Sequence, residues 1–469
     1  MCPQRTVNGS EDCLYLGLYG RPWTEGQTLR PVVVTFYGGG FVQGSASFTL
    51  PPSAYPILNA SEASDMIFVY PNYRTNAFGF LAGREVAADP LSDANAGLLD
   101  QDAVLKWVQS HIGAFGGDRD HVTVWGQSAG GGSVVAQTIA QHGRLSSSRG
   151  GRSGNKNDTA GTPLFRQALA SSPFWPKTYR VDDPEVQWQY DTLANLTGCA
   201  GGPDSLACLK EADVQAIRDA SLVIIDAHKY TTATFGWGPV IDGAFLRTPL
   251  SEATATSPGN GGGGLQIEYG FGMYNTHEGE GFTPAELSNI AATNETMAIS
   301  FDAWLEGYLP GLTDDDLARL REAYPAVGSA ELIDRYEDPR TRAGLVYRDS
   351  VLACPAYWMA GAATKGSWLG EYTMPPAAHA SDVYWWNTIN SNQQTDRLHY
   401  QGYAGAMASF FMTGDPNALK LTADDVAGVP PLGSGEEFVI NTQGFTSAEL
   451  TQFKERCGLW RELAPRVPV

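Results

Sequence analysis

Ser128 lies in the run Val122-Thr-Val-Trp-Gly-Gln-Ser-Ala-Gly-Gly-Gly-Ser133. The pentapeptide from Gly126 to Gly130 reads G-x-S-x-G, with a β-branched run before it and a small-residue, helix-capable stretch over 133–142 after it. A strand that turns sharply into a helix lifts the serine hydroxyl above the sheet edge, which is what a nucleophile elbow requires. Gly126 and Gly130 carry no Cβ, so the strand and helix can cross closely around the turn. A serine hydroxyl is a weak nucleophile until a base takes its proton. Such a site therefore needs an imidazole, a carboxylate to orient it, and N–H donors for the charge that develops on a carbonyl oxygen.

Candidates for each part are present. Tyr37-Gly-Gly-Gly-Phe41 follows an apolar run, and consecutive glycines let backbone N–H groups turn toward a ligand. Gly39 and Gly40 are the candidate donors, and Ala129 N–H, beside the nucleophile, is the third. Each such donor contributes roughly 3–4 kcal/mol to transition-state stabilisation. The chain has 7 histidines. Folds with this elbow place the acid and then the histidine after the serine. That order removes His111 and His121, and His142 and His228 precede any plausible acid. His277 adjoins the acid candidates and reads as a solvated loop residue, and His399 as a surface residue in a polar, helix-like segment. His379, in Pro375-Pro-Ala-Ala-His-Ala-Ser-Asp-Val383, is left as the base. Glu278 and Glu280 both lie in Asn275-Thr-His-Glu-Gly-Glu-Gly-Phe282, and spacing alone does not separate them.

Several elements must position these residues. Residues 32–37 and 66–70 are short apolar runs bounded by Pro or Gly, as in buried strands. Residues 122–125 and 269–274 read as further strands, and 383–386 as an aromatic strand after His379. Residues 101–112 place Leu105, Val108 and Ile112 at helical spacing, so they form a helix packed on the sheet. Strands alternating with helices imply a parallel sheet covered on both faces. Residues 144–161 and 257–264 have no apolar period and read as surface loops.

Composition narrows the function classes. The 469 residues include 31 Lys and Arg against 51 Asp and Glu, a formal charge of −20. Such a surface repels phosphate backbones and anionic membranes, so nucleic acid is not an expected partner. No apolar run is long enough to span a bilayer, and the first residues, Met-Cys-Pro-Gln-Arg, contain no signal-peptide core. Six cysteines and five N-x-S/T sequons, at Asn8, Asn59, Asn157, Asn195 and Asn294, together favour a secreted, oxidising route.

The assembled motifs resemble the type-B carboxylesterase/lipase family, the cholinesterase-like α/β-hydrolases, and look most like its fungal secreted members. Ser10-Glu-Asp-Cys-Leu-Tyr-Leu16 is similar to the family's second signature. Tyr73-Arg-Thr-Asn-Ala-Phe-Gly-Phe-Leu81, residues 95–107 and Phe115-Gly-Gly-Asp118 lead into the elbow in the family's order. Residues 235–243 resemble its P-V-x-D-G strand end, and Gly414-Asp-Pro-Asn417 a late turn. The resemblance implies one α/β-hydrolase domain over 1–469, with a central, mostly parallel sheet and helices on both faces. It places the acid at the first Glu of an E-G-x-x-F pattern, which is Glu278. It places the histidine three residues before an acidic residue, as His379 stands before Asp382. It also implies that Ser172 supports the triad, and that the cysteines pair as Cys2–Cys13, Cys199–Cys208 and Cys354–Cys457.

Two departures bear on specificity. Family members normally carry several dozen residues before the first of these cysteines, so the N-terminal edge of the fold is expected to be truncated. Gln127 stands where cholinesterases have a Glu, and the short Cys2–Cys13 loop has no aromatic residue. Cholinesterases hold their choline-stacking Trp in that loop, and the family's lipases build their lid there. Cation–π recognition of choline needs that Trp. The resemblance thus implies a secreted serine ester hydrolase, EC 3.1.1.-, that acts on a small-molecule ester without metal or organic cofactor. The alternatives are a lipase of the same family and a catalytically silent interaction protein on the same fold. Aromatic residues around Pro173-Phe-Trp-Pro176 are candidates for the acyl pocket.

Overall fold

A computed structural model describes residues 1–46, 54–142, 163–228, 236–255, 267–287 and 299–468. The two loops expected over 144–161 and 257–264 lie outside the described residues.

Among the described residues, nine strands form one sheet. They are β1 (Leu16–Tyr19), β2 (Arg30–Phe36), β3 (Ile67–Pro71), β4 (Gly117–Gln127), β5 (Gln167–Ser171) and β6 (Tyr269–Asn275). After a two-stranded hairpin, β7 (Gly328–Ala330) and β8 (Ile333–Tyr336), come β9 (Gly366–Tyr372), β10 (Glu436–Asn441) and β11 (Gly444–Glu449). The order is β1-β3-β2-β4-β5-β6-β9-β10-β11. All pairings from β3 to β10 are parallel, and the two edges, β1 on β3 and β11 on β10, are antiparallel.

The central strands are apolar throughout because both faces are covered. Val32, Val34 and Phe36 join one core with Leu98, Leu105, Val134 and Val135, from the helices Ala96–His111 and Ala129–Ile139. Val33, Phe68 and Trp125 point the other way, into a second core with Trp386, Met407 and Phe411. The period-2 alternation of strand side chains builds both layers from one run of residues. This is the parallel sheet covered on both faces that the strand–helix alternation implies, and the α/β-hydrolase architecture that the resemblance implies.

Two local expectations are corrected. Residues 383–386 are a short helix, Val383–Trp386, not a strand. The aromatic run packs into the second core as a helix, with Trp385 and Trp386 buried there, and adds no strand to the sheet. The Trp386 Nε1 donates to Asp382 Oδ2 at 3.2 Å, a contact at helical spacing. The helix over 101–112 begins earlier and runs Ala96–His111, so Gln101 and Asp102 are buried within it. The three disulfides pair as the resemblance implied, and no described cysteine is free.

Candidate functional site

The elbow is built as its sequence requires. β4 ends at Gln127, the helix Ala129–Ile139 starts two residues later, and Ser128 between them has φ 58° and ψ −128°. Positive φ for a serine costs of order 1–3 kcal/mol and persists only where the surroundings impose it. A Cβ on Gly126 would lie 2.2 Å from Gly130 O, and one on Gly130 would lie 2.1 Å from Phe36 O. No larger residue fits either position, so G-x-S-x-G here is a packing requirement of the turn.

The glycine run after β2 faces the same space. Gly39 and Gly40 have φ of 116° and 64°. The loop is pinned from behind by Gln4, in the Cys2–Cys13 loop: its Oε1 accepts from Gly44 N at 2.7 Å, and its Nε2 donates to Gly44 O at 2.9 Å. Asn76 Nδ2 donates to Pro3 O at 3.1 Å, so the start of residues 3–12 is packed against the fold. Gln4 was invisible as a site-supporting residue in the sequence, because a lone Gln in a polar loop carries no spacing signal.

Glu278 is fully buried, in the turn after β6. Its Oε2 lies 2.6 Å from His379 Nδ1, and its Oε1 accepts from Ser172 Oγ at 2.9 Å and from the Asn275 backbone N–H. Ser172 is itself held at φ 45°. Asn275 Nδ2 donates to Ser172 Oγ at 3.0 Å and to Asp382 Oδ1 at 3.2 Å. Asp382 also accepts from Tyr403 OH at 2.9 Å, and burial, with the nearby Glu278 charge, raises its carboxyl above the usual range. The sequence offered Asp382 only as a marker for His379 and did not single out Asn275. The available signal was a polar residue closing the apolar run of β6.

The other acid candidate behaves differently. Glu280 Oε1 pairs with the half-exposed His277 ring at 2.8 Å, away from His379. His142 pairs with Asp102 on the helix Ala96–His111 at 2.7 Å. His399 is not the surface residue expected: it is buried, with Nδ1 2.7 Å from Asp396 Oδ2 and Nε2 2.7 Å from Asn441 O. The polar segment around it concealed a ring packed between Trp385 and Phe445.

Ser128, His379 and Gly39 line one cavity of about 250 Å³, whose walls also include Thr35, Trp125 and Trp386. Gln127 lines it too, with Nε2 3.4 Å from His379 Nε2. With Nδ1–H donated to Glu278, Nε2 is left as the acceptor that a serine proton would need. No carboxylate, lysine or arginine is among the described residues that line this cavity. Beneath the acid turn, buried Arg348 donates to Thr276 O at 3.3 Å and pairs with Asp349, while burial raises Glu371 and Glu437 toward their neutral forms.

A serine elbow, a glycine loop and a buried carboxylate–imidazole pair around one cavity define a serine hydrolase of the α/β-hydrolase class. Aspergillus niger EstA superposes with a TM-score of 0.78, at 24% identity over 100% of this chain and 87% of that one, which shows the shared fold. Residues 2–460 match the profile of the carboxylesterase family, and the chain belongs to that family: it is a carboxylic ester hydrolase. Carboxylesterase patB of Aspergillus clavatus is 31% identical over 87% of this chain and 68% of its own length. A secreted lipase of Arthroderma benhamiae is 28% identical over 97% of this chain and 83% of its own length. Among the described residues, no helix is long and apolar enough to cross a membrane.

Proposed function

We propose that Ser128, His379 and Glu278 hydrolyse compact, soluble carboxylic esters through an acyl-enzyme. Ser128 Oγ attacks the ester carbonyl carbon while His379 Nε2 takes its proton. The N–H groups of Gly39, Gly40 and Ala129 stabilise the oxyanion. The tetrahedral intermediate collapses, the C–O bond to the alcohol breaks, and the imidazolium returns the proton to the departing oxygen. Water, deprotonated by the same imidazole, then attacks the acyl carbon; the bond to Ser128 Oγ breaks, the imidazolium returns the proton to that oxygen, and the carboxylic acid leaves. Glu278 holds the imidazole's tautomer and stabilises its cation without itself taking the proton. Ser172 and Asn275 orient Glu278.

The observation that carries this is the 2.6 Å contact between buried Glu278 Oε2 and Nδ1 of His379, which lines the same cavity as Ser128. Compact substrates are supported by the cavity volume of about 250 Å³, below the usual range for drug-sized ligands. The short, pinned Cys2–Cys13 loop also disfavours a lipase flap there. Secretion is supported by the three disulfides, by the relative named a secreted lipase, and by exposed sequons at Asn8, Asn59 and Asn195. The sequons at Asn157 and Asn294 lie outside the described residues.

A panel of p-nitrophenyl esters from acetate to palmitate tests the substrate class. kcat/KM should be highest for acetate and butyrate, with simple saturation. A sharp rise on emulsified triolein, with little hydrolysis of dissolved butyrate, would show a lipase instead.

A further inference from the structure

The glycine loop beside Ser128 is backed by two tyrosines that hold each other. The three glycines after Tyr37 have no side chains to fix where their N–H groups point. Tyr73, just past β3, supplies that restraint from outside the loop. Tyr73 OH donates to Tyr37 O at 2.7 Å, Tyr37 OH donates to Tyr73 O, and Tyr73 N–H donates to the Tyr37 hydroxyl at 3.1 Å. The two rings stack with centroids 4.1 Å apart and planes at 10°. Burial raises both phenols above their ordinary range, so each keeps the proton it donates. The loop is also pressed against the elbow: a Cβ on Gly130 would lie 2.9 Å from Tyr37 C, and one on Gly38 would lie 3.0 Å from Ser128 Cβ.

The segment that carries Tyr73 is itself anchored. Arg74 N–H, Nε and Nη2 donate to the Asp100 carboxylate, on the helix Ala96–His111, at 3.0, 2.8 and 2.7 Å. Asn76 N–H donates to Phe41 O at 2.7 Å. Residues 73–76 thus grip the glycine run at both flanks, Tyr37 and Phe41. Tyr73 is fully buried and is not among the described residues that line the cavity, so its effect on a substrate passes through Tyr37.

We propose that Tyr73 is a positioning residue for the oxyanion hole, holding the Tyr37 carbonyl so that the Gly39 and Gly40 N–H groups converge with Ala129 N–H on the oxygen of the reacting carbonyl. Such donors act only when held within about 0.5 Å of the productive geometry. A peptide released at Tyr37 is free to rotate, and the N–H groups that follow it turn out of line. The ground-state ester depends on this alignment less than the tetrahedral intermediate does, so the loss falls on kcat rather than on KM. The proposal rests on the reading of Gly39, Gly40 and Ala129 as the oxyanion donors.

The test compares the wild type with Tyr73→Phe, which removes only the hydroxyl. Rates are counted per serine titrated with a fluorophosphonate, so loss of folded protein does not register. On p-nitrophenyl acetate, kcat should fall about tenfold, the effect of one buried neutral hydrogen bond, with KM changed by less than about twofold. An aryl trifluoromethyl ketone reads the oxyanion directly. Ser128 Oγ bonds to its carbonyl carbon, the serine proton passes to His379, and the carbonyl oxygen becomes an alkoxide. Its inhibition constant should rise in Tyr73→Phe by the factor that kcat/KM falls. Tyr37→Phe, which breaks the reciprocal bond to Tyr73 O, should shift kcat and ketone affinity in the same direction, and it decides alone if Tyr73→Phe does not fold. A variant with lowered Tm but wild-type kcat and ketone affinity overturns the proposal and leaves Tyr73 as a packing residue. A loss confined to KM, or a loss of kcat with ketone affinity unchanged, overturns it as well. If the ketone inhibits the wild type no better than the corresponding alcohol, which has no carbonyl to attack, the oxyanion reading itself fails, and the proposal with it.

Discussion

Glu278 reaches His379 from inside the fold: the carboxylate has no solvent exposure, and its Oε2 sits 2.6 Å from Nδ1 of an imidazole whose side chain is 16% exposed. A charge held in this way interacts with its partner through a low local dielectric, and its other oxygen, Oε1, accepts from both Ser172 and Asn275. The buried member orients the imidazole, and the accessible imidazole can exchange protons with a substrate.

Replacing Glu278 by Gln should lower kcat by about four orders of magnitude, as in other triads where the orienting carboxylate becomes an amide. Glu280→Gln should change kcat by no more than a few-fold, since Glu280 pairs with His277 at the surface. Steady-state rates on p-nitrophenyl acetate distinguish the two. The reverse order of effects would move the acid to Glu280.

The two late histidines should separate by the kind of damage they cause. His379→Ala should remove at least three orders of magnitude in kcat with little change in Tm. His399→Ala should keep turnover at low temperature but lower stability by roughly 1–3 kcal/mol, because the Asp396 and Asn441 contacts of a buried ring are lost.

Lys177 gives a pH signature unrelated to catalysis. It is buried, its Nζ donates to Tyr308 O at 2.6 Å, and burial pushes its pKa down to about 8 from 10.5. Between pH 8 and 10.5 the unfolded chain binds more protons at this group than the folded chain, so stability from it rises with pH. Over that window the wild type should gain on Lys177→Met by about 3 kcal/mol. Denaturant midpoints of both proteins across the range measure this. A constant difference would mean that Lys177 stays charged in the folded protein.

What the sequence revealed follows from how local each signal is. The elbow and glycine loop were legible because close packing leaves only glycine at Gly126 and Gly130, and that demand is written in consecutive residues. Glu278 and Glu280 were inseparable by spacing because their difference is topological: one turns under the sheet edge, and the other turns out to His277. His399 and residues 383–386 were misread for the same reason. A polar segment around a buried ring, and an aromatic run that packs into a core as a helix, are decided by what packs against them. Gln4 and Asn275 act through long-range contacts that leave no trace in spacing.

The most direct test of the account is covalent labelling of the nucleophile. The protein should be incubated with a fluorophosphonate, digested, and the modified peptide located by mass spectrometry, with ester turnover followed in parallel. The account predicts one equivalent of label on Ser128, loss of turnover in step with labelling, and neither label nor turnover in Ser128→Ala. Label on another serine, or a Ser128→Ala protein that still hydrolyses p-nitrophenyl acetate at the wild-type rate, would contradict it.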